Sequence, residues 1–203
     1  MTIKSTNKQE QRSAATRANL LSAARRLFAV RGYAAVGTEE IVRAAGVTRG
    51  ALYHQFRDKE QLFEAVFEQV EAQTTQHVAE GALGAVATEP LAALRAGARA
   101  FLAVCADPEV ERIVLLDAPA VLGWERWREI GLRHGLGLVA GTLQAGMDAG
   151  AIAPQPVTPL AHVVIGALDE GALYVARAAD RETARAEVEA IIDRLVDGLA
   201  PRG

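Results

Sequence analysis

An all-α fold is what this 203-residue chain predicts, on three observations. Apolar residues recur at helical spacing along nearly the whole length. No stretch alternates apolar and polar residues long enough to make a strand, and no internal repeat is visible. Glycines and prolines punctuate the pattern between periodic segments. Half of the residues are apolar, enough to bury a sizeable core in one or two domains.

Taken in order, residues 1–14 are polar and are expected to form a disordered arm, with Lys4, Lys8 and Arg12 exposed. Residues 15–57 read as a three-helix head. Its first helix starts near Thr16 and carries Leu20, Ala23, Ala24, Leu27 and Phe28 until Gly32 stops it. Two short helices follow across residues 38–56, joined at Gly46, where a tight turn favours positive φ. Thr38 and Thr48 are each placed to cap a helix, and Asp58 with Gln61 makes a capping-box-like pair. Residues 58–203 form the body. Its first helix runs from Asp58 to about Glu80, and a soft patch spans Gly81 to Thr88. Helices over Pro90–Ala106, from Pro108 to Leu116 and from Trp124 to about Met147 come next. After Pro154 and Pro156, Thr158 is placed to cap a helix with Pro159 in its first turn, and a last helix follows Asp180.

The second short helix of the head carries the strongest functional signal. Its outward side holds Thr48, Arg49, Gly50, Tyr53, His54 and Gln55, which are donors or small residues in place of the Glu/Lys mixture of a solvated face. Donors for base edges and for phosphates on one outward helix are what docking in a DNA major groove requires. Charge agrees with this. Residues 1–60 hold eleven Lys and Arg against five acids, a net +6, whereas the remainder carries −9. Phosphate attraction is local at physiological screening, so a basic head matters even on a chain of net charge −3.

The last two helices show broad apolar stripes. Leu160, Val164, Ala167, Leu168 and Gly171 lie on one, and Ile192 and Leu195 on the other. They are expected to build a two-fold four-helix dimer interface, since one recognition helix covers too few base pairs to be specific. A single cysteine excludes an internal disulfide and suits a reducing cytoplasm. No signal peptide or membrane span is expected, because the first residues are polar and apolar runs such as Ile113 to Leu116 stop at Asp117 and Pro119. His77 and His162 lack spaced partners for a metal, and no cofactor is expected. An enzyme would need a nucleophile–base constellation or a phosphate-cradling loop, and Asp117, His134 and Cys105 qualify by residue type alone. A helical interaction protein without DNA binding would leave the donor-rich face unexplained.

From Leu20 to Phe67 the chain resembles the DNA-binding domain of the TetR family of bacterial transcriptional repressors. The resemblance lies in Leu-Phe-Ala-Val-Arg-Gly-Tyr, Thr38, Ala-Ala-Gly-Val, Leu-Tyr and Phe-Arg-Asp-Lys-Glu-Gln-Leu-Phe, in that order. It implies a cytoplasmic, all-helical homodimer that grips palindromic double-stranded operator DNA and releases it when a small effector enters the C-terminal domain. It also implies phosphate contacts at Thr38, Thr48, Tyr53 and Lys59, and base-edge contacts at Arg49 and Gly50. Val42 and Gln55 depart from the usual pattern, with small alanine and histidine common there, and His54 is a candidate replacement for the second contact. An effector pocket among the middle helices is expected to use Phe63, Phe67, Phe101, Cys105, Trp124 and Trp127, with Asp117, Arg126 or His134 for polarity, and to favour a largely apolar ligand.

Overall fold

The computed structural model describes residues 3–86 and 89–201, and no strand occurs among them. The first helix, α1 (Ile3–Arg31), starts much earlier than its apolar periodicity suggests. The expected disordered arm is therefore a correction: from Ile3 onward residues 3–14 belong to α1. No glycine or proline interrupts residues 3–31. Thr16 Oγ1 bonds the Arg12 carbonyl at 2.9 Å, and Ser13 Oγ accepts from Gln55 Nε2 at 2.7 Å, so this part of α1 is tied to the third helix. The side chains of Lys4 and Lys8 lie outside the described residues.

Gly32 ends α1 at φ 76°, its amide bonded to the Phe28 carbonyl at 2.8 Å. Helix α2 (Thr38–Ala45) follows, then α3 (Arg49–Gln55). Between them Gly46 sits at φ 65°, and the amides of Gly46 and Val47 bond the carbonyls of Arg43 and Val42, a left-handed close that only glycine adopts without strain. Thr48 caps α3 as expected, accepting from the Ala51 amide at 3.2 Å. Thr38 does not cap α2. It is the first helical residue, and Gly37 occupies the cap position with no side chain to offer.

Helix α4 (Lys59–Val86) opens with the foreseen exchange: the Gln61 amide donates to Asp58 Oδ1 at 2.8 Å, while Gln61 Oε1 accepts from the Arg57 amide at 2.7 Å. It runs through most of the expected soft patch, leaving Ala87 and Thr88 outside the described residues. Helix α5 (Pro90–Cys105) packs along α4. A single turn, α6 (Pro108–Val110), leads into a π-helical stretch, Glu111–Asp117, and then α7 (Ala118–Leu122). Pro119 therefore does not stop the helical path but sits in the first turn of α7, where its missing N–H costs nothing. Helices α8 (Trp124–Asp148), α9 (Val157–Arg177) and α10 (Arg181–Asp197) complete the body. Thr158 makes no cap on α9, whose cap position is Pro156, whereas Asp180 caps α10 by accepting from the Thr183 amide at 3.1 Å.

One contiguous core joins head to body. Phe28, Phe63 and Phe67 are fully buried, and Phe28, Tyr33 and Phe63 form a cluster with ring centroids 5.1–5.7 Å apart. Polar ties cross the same junction. Arg25 forks onto Glu109 at 2.8 and 2.6 Å, and the Tyr33 amide donates to Asp117 Oδ2 at 2.7 Å. The expectation that no segment is long and apolar enough to cross a membrane fails for α9, which meets that test by length and composition. Its apolar residues spread widely because one side packs on α5, α8 and α10 while Val163 and Tyr174 point outward. Asp169 and Glu170 interrupt it midway.

Candidate nucleic-acid interface and interior cavity

The outward side of α3 is built by a short helix whose inward side is fully committed to the core. Leu52 and Phe56 are buried beneath it, and Arg17 lies over the Phe56 ring with its guanidinium carbon 4.3 Å from the centroid. Thr48, Arg49, Gly50, Tyr53 and His54 are exposed. Arg49 is held only loosely: it lies over Tyr53 at 5.6 Å and makes an exposed ion pair with Glu39 at 3.7 Å. Gly50 has no reason within the fold to be glycine. Its φ is negative, and a Cβ there would meet nothing nearer than Thr48 Oγ1 at 3.9 Å. A helical glycine costs roughly 1 kcal/mol against alanine, so a bare position on an exposed helix suits close approach by a partner.

Thr38 is half-buried at the start of α2. His54 is on the rim of a groove between α1 and α3, whereas Gln55 faces inward to Ser13. His54 makes no side-chain hydrogen bond among the described residues, whereas the Gln55 amide nitrogen is engaged by Ser13. Lys59 departs from a simple phosphate contact. Its Nζ donates to the carbonyls of Tyr33 and Val36, 3.0 Å each, and sits 3.9 Å over the Tyr33 ring. Desolvation there holds its pKa below the usual lysine value. One of its three N–H groups is left over, so Lys59 first fastens the turn before α2. Among the described residues Arg12, Arg17, Arg26 and Arg43 form no ion pair, and they carry the unneutralised charge of the head.

The body contains a cavity of about 240 Å³ bounded by α4, α5, the π-helical stretch, α8, α9 and α10. Of the expected lining residues Phe101 and Trp127 are on its wall. The others are not, and each is a correction. Phe63 and Phe67 are spent in the head–body junction, one or two turns of α4 above the cavity. Asp117 holds the Tyr33 amide. Trp124 is 59% exposed and lies tilted against Trp127, with ring centroids 4.8 Å apart. His134 is off the wall, and Arg126 pairs with Glu64 and Glu129. Cys105 is buried just beyond the lining, its thiol pushed far up by desolvation and held as the neutral acid.

Sequence reasoning missed the groups that give the cavity its shape and polarity. Gly131 and Gly135, one turn apart on α8, open it by having no side chain. Glu71 and Thr74 face it from α4, Arg128 from α8 and Asp169 from α9. Desolvation, with the Asp169 charge behind it, pushes the Glu71 carboxyl up to about 7. Desolvation also takes Asp169 up to about 6, against the opposing pull of its ion pair with Arg128. The signals were present as two same-face glycines in a helix and a Glu-x-x-Thr step, but neither departs from an ordinary helical pattern.

The residues expected at a dimer interface mostly turn toward this cavity. Leu160, Val164, Ala167, Leu168, Ile192 and Leu195 line it, and a Cβ on Gly171 would stand 2.8 Å from Val188, so that glycine lets α9 and α10 of one chain close together. More than half exposed on these helices are Val163 and Tyr174 on α9 and Ile191 and Leu195 on α10, and of these Val163 and Leu195 also border the cavity mouth. A wide stripe thus serves both a core and an outer edge.

Residues 20–66 match the family described as bacterial regulatory proteins, tetR family, and residues 91–199 match the tetracyclin repressor-like C-terminal domain. The chain is 30% identical to the Transposon Tn10 TetC protein of Escherichia coli over 137 residues, 66% of each chain. It is 44% identical to the HTH-type transcriptional regulator AcrR of Shigella flexneri over 61 residues, 30% of this chain and 28% of AcrR. The matches thus span between about a quarter and two thirds of the length of these curated relatives. A TetR-family transcriptional regulator from Pectobacterium atrosepticum has the same fold with a TM-score of 0.83 and 32% identity, covering 95% of this chain and 97% of that one. The capped, glycine-hinged helix pair lies within the first matched stretch and helices α6 to α10 lie within the second, and the chain belongs to the TetR family of bacterial transcriptional regulators.

Proposed function

We propose that this protein is a non-enzymatic, ligand-responsive transcriptional repressor of the cytoplasm. It binds palindromic double-stranded operator DNA as a homodimer and is released when a small, largely apolar molecule fills the body cavity. The observation that carries the DNA reading is the outward face of α3. Exposed Thr48, Arg49, Tyr53 and His54 flank a glycine that the fold itself does not need, beside cations without ion pairs. In this reading Arg49 and Gly50 meet base edges, and Thr38, Thr48, Tyr53 and His54 meet phosphates. The third N–H of Lys59 reaches the backbone while the other two hold the turn.

The dimer forms through the outer edges of α9 and α10, where Val163, Tyr174, Ile191 and Leu195 leave apolar surface in water. Two connections carry a signal from cavity to head. Helix α4 runs unbroken from Lys59 past Glu71 and Thr74. The π-helical stretch puts Val114 and Leu115 on the cavity wall and, through Asp117, holds the Tyr33 amide. A ligand shifts operator binding only by its differential affinity for two head spacings, and coupling of about 1–3 kcal/mol would lower DNA affinity roughly 5–150-fold.

The test is operator selection with the purified protein, followed by footprinting and titration against salt. Two half-sites about 34 Å apart, or slightly more, and a steep loss of affinity with salt are expected. An asymmetric footprint bound by monomer, or affinity indifferent to salt, would overturn the reading. Leu195→Asp combined with Val163→Asp should yield a folded monomer by light scattering that no longer holds the operator.

A further inference from the structure

We propose that the ligand of the body cavity is a small amphipathic amine whose protonated nitrogen is bound between the Glu71 carboxylate and the Thr74 hydroxyl while its apolar body fills the space toward Phe101, Trp127 and Leu168. This deepens the effector reading above and rests on it. Glu71 and Thr74 are three residues apart on α4 and so share a face. Thr74 is the buried polar side chain of the core, 3% exposed, and its Oγ1 has no hydrogen-bond partner among the described residues. Glu71 accepts no hydrogen bond from them either, and the nearest acting charge is another acid, Asp169. Buried polar groups left this way carry a desolvation cost that a donor on a ligand removes.

The charges surrounding Glu71 select the sign of the ligand. From α9, Asp169 is neutralised by Arg128 of α8. From α5, Cys105 stays a neutral thiol. Glu71 on α4 is therefore the uncompensated anion of the cavity. An anionic ligand would add a third negative charge, and a purely apolar one would leave the carboxylate without a donor. A protonated amine supplies donors to both Glu71 and Thr74. Gly131 keeps the carboxylate accessible, since a Cβ there would already stand 3.8 Å from Glu71 Oε1. A cavity of about 240 Å³ compares with the roughly 150 Å³ that accepts benzene, so the ligand has about one or two rings or an equivalent chain. Because burial leaves the Glu71 carboxyl near 7, amine binding releases a proton below neutral pH.

The experiment uses the full-length protein and three matched probes: 2-phenylethylamine, 2-phenylethanol and 3-phenylpropanoate. Binding is read by calorimetry and by the fluorescence of Trp127 on the wall, and operator affinity is titrated with each probe present. At about pH 8 the amine should bind about 10–100-fold tighter than the alcohol, with the carboxylate weakest. Its affinity should fall by about tenfold toward pH 6 as Glu71 takes up a proton, while that of the alcohol stays level. Glu71→Gln should bind amine and alcohol alike, and retained alcohol binding shows that the variant is folded. An alcohol or carboxylate that binds as tightly as the amine, an amine preference that survives Glu71→Gln, or no binding of the amine at all would overturn the proposal. If the alcohol binds best and also releases operator, the charge preference falls and effector control stands. If the amine binds as expected but operator affinity does not move, the ligand class stands and effector control falls.

Discussion

The head and the body are made of the same helices and obey opposite packing rules. Under α3 and around Phe28, Tyr33 and Phe63 every large side chain meets another, and the turns are closed by glycines at positive φ with bonded amides. In the body, α8 presents Gly131 and Gly135 where side chains would fill space, Thr74 is buried with its hydroxyl unpartnered among the described residues, and the largely desolvated Glu71 carboxyl accepts no hydrogen bond from them. The head is a rigid part that must hold one surface in one shape. The body keeps a void and unpartnered polar groups, which cost stability and become useful only if something occupies them.

The sharpest way to break that comparison is to truncate an aromatic on each side. Phe63→Ala should cost about 3–5 kcal/mol in urea denaturation, because it opens a hole where none exists. Phe101→Ala only widens the existing cavity and should cost clearly less; equal losses would mean that the body is packed as tightly as the head.

Next in size is the pH dependence of the body. Both Glu71 and Asp169 have folded values above those of a free carboxyl, so the folded state binds more protons than the unfolded one between roughly pH 4 and 7. Stability from these groups is fully present below the unfolded values and is lost as pH rises through about 6 to about 7. For Glu71 the loss reaches up to about 3 kcal/mol, and Glu71→Gln should remove it from the denaturation curve measured across that range.

In the head, Arg49→Ala should cost about 1–3 kcal/mol of operator affinity and relax preference at one base pair, read by competition with base-substituted sites. Lys59→Ala should weaken all sequences alike and also lower thermal stability, since two backbone carbonyls lose their donor. Unchanged base preference in the first variant would make Arg49 a phosphate contact. The smallest effect separates the glycines. Gly135→Ala should stabilise by about 1 kcal/mol, since its Cβ enters empty space in a helix. Gly32→Ala, at φ 76°, should destabilise by about 1–2 kcal/mol, and differential scanning calorimetry reads both.

Much of the head could be read from single residues because its constraints are local. Gly46 at positive φ, Thr48 as a cap and the Asp58–Gln61 exchange each follow from chemistry within four residues of chain. The exceptions are informative. Thr38 lost its cap to Gly37 by one position, and residues 3–14 continue α1, where Ser13 accepts from Gln55, 42 residues away. In the body most helices were legible, although α4 runs on to Val86 and the segment after Pro108 divides into α6, the π-helical stretch and α7, yet the cavity lining was not, since Phe63 and Phe67 look the same in sequence whether they face a void or a neighbour.

What the amino-acid sequence determined by itself is the helical period and the place of the main helices, the basic donor-rich face of α3 and the turns that present it. Hydrophobic spacing, capping and backbone freedom act over a few residues and need no knowledge of the rest of the chain. Only the tertiary structure decided that Asp117 would hold the Tyr33 amide, that Lys59 would hold two carbonyls, and that the α9 stripe would divide between cavity and outer edge. A helical stripe states that one side avoids water. Which surface covers that side depends on crossing helices brought together from distant parts of the chain, and periodicity carries no record of them.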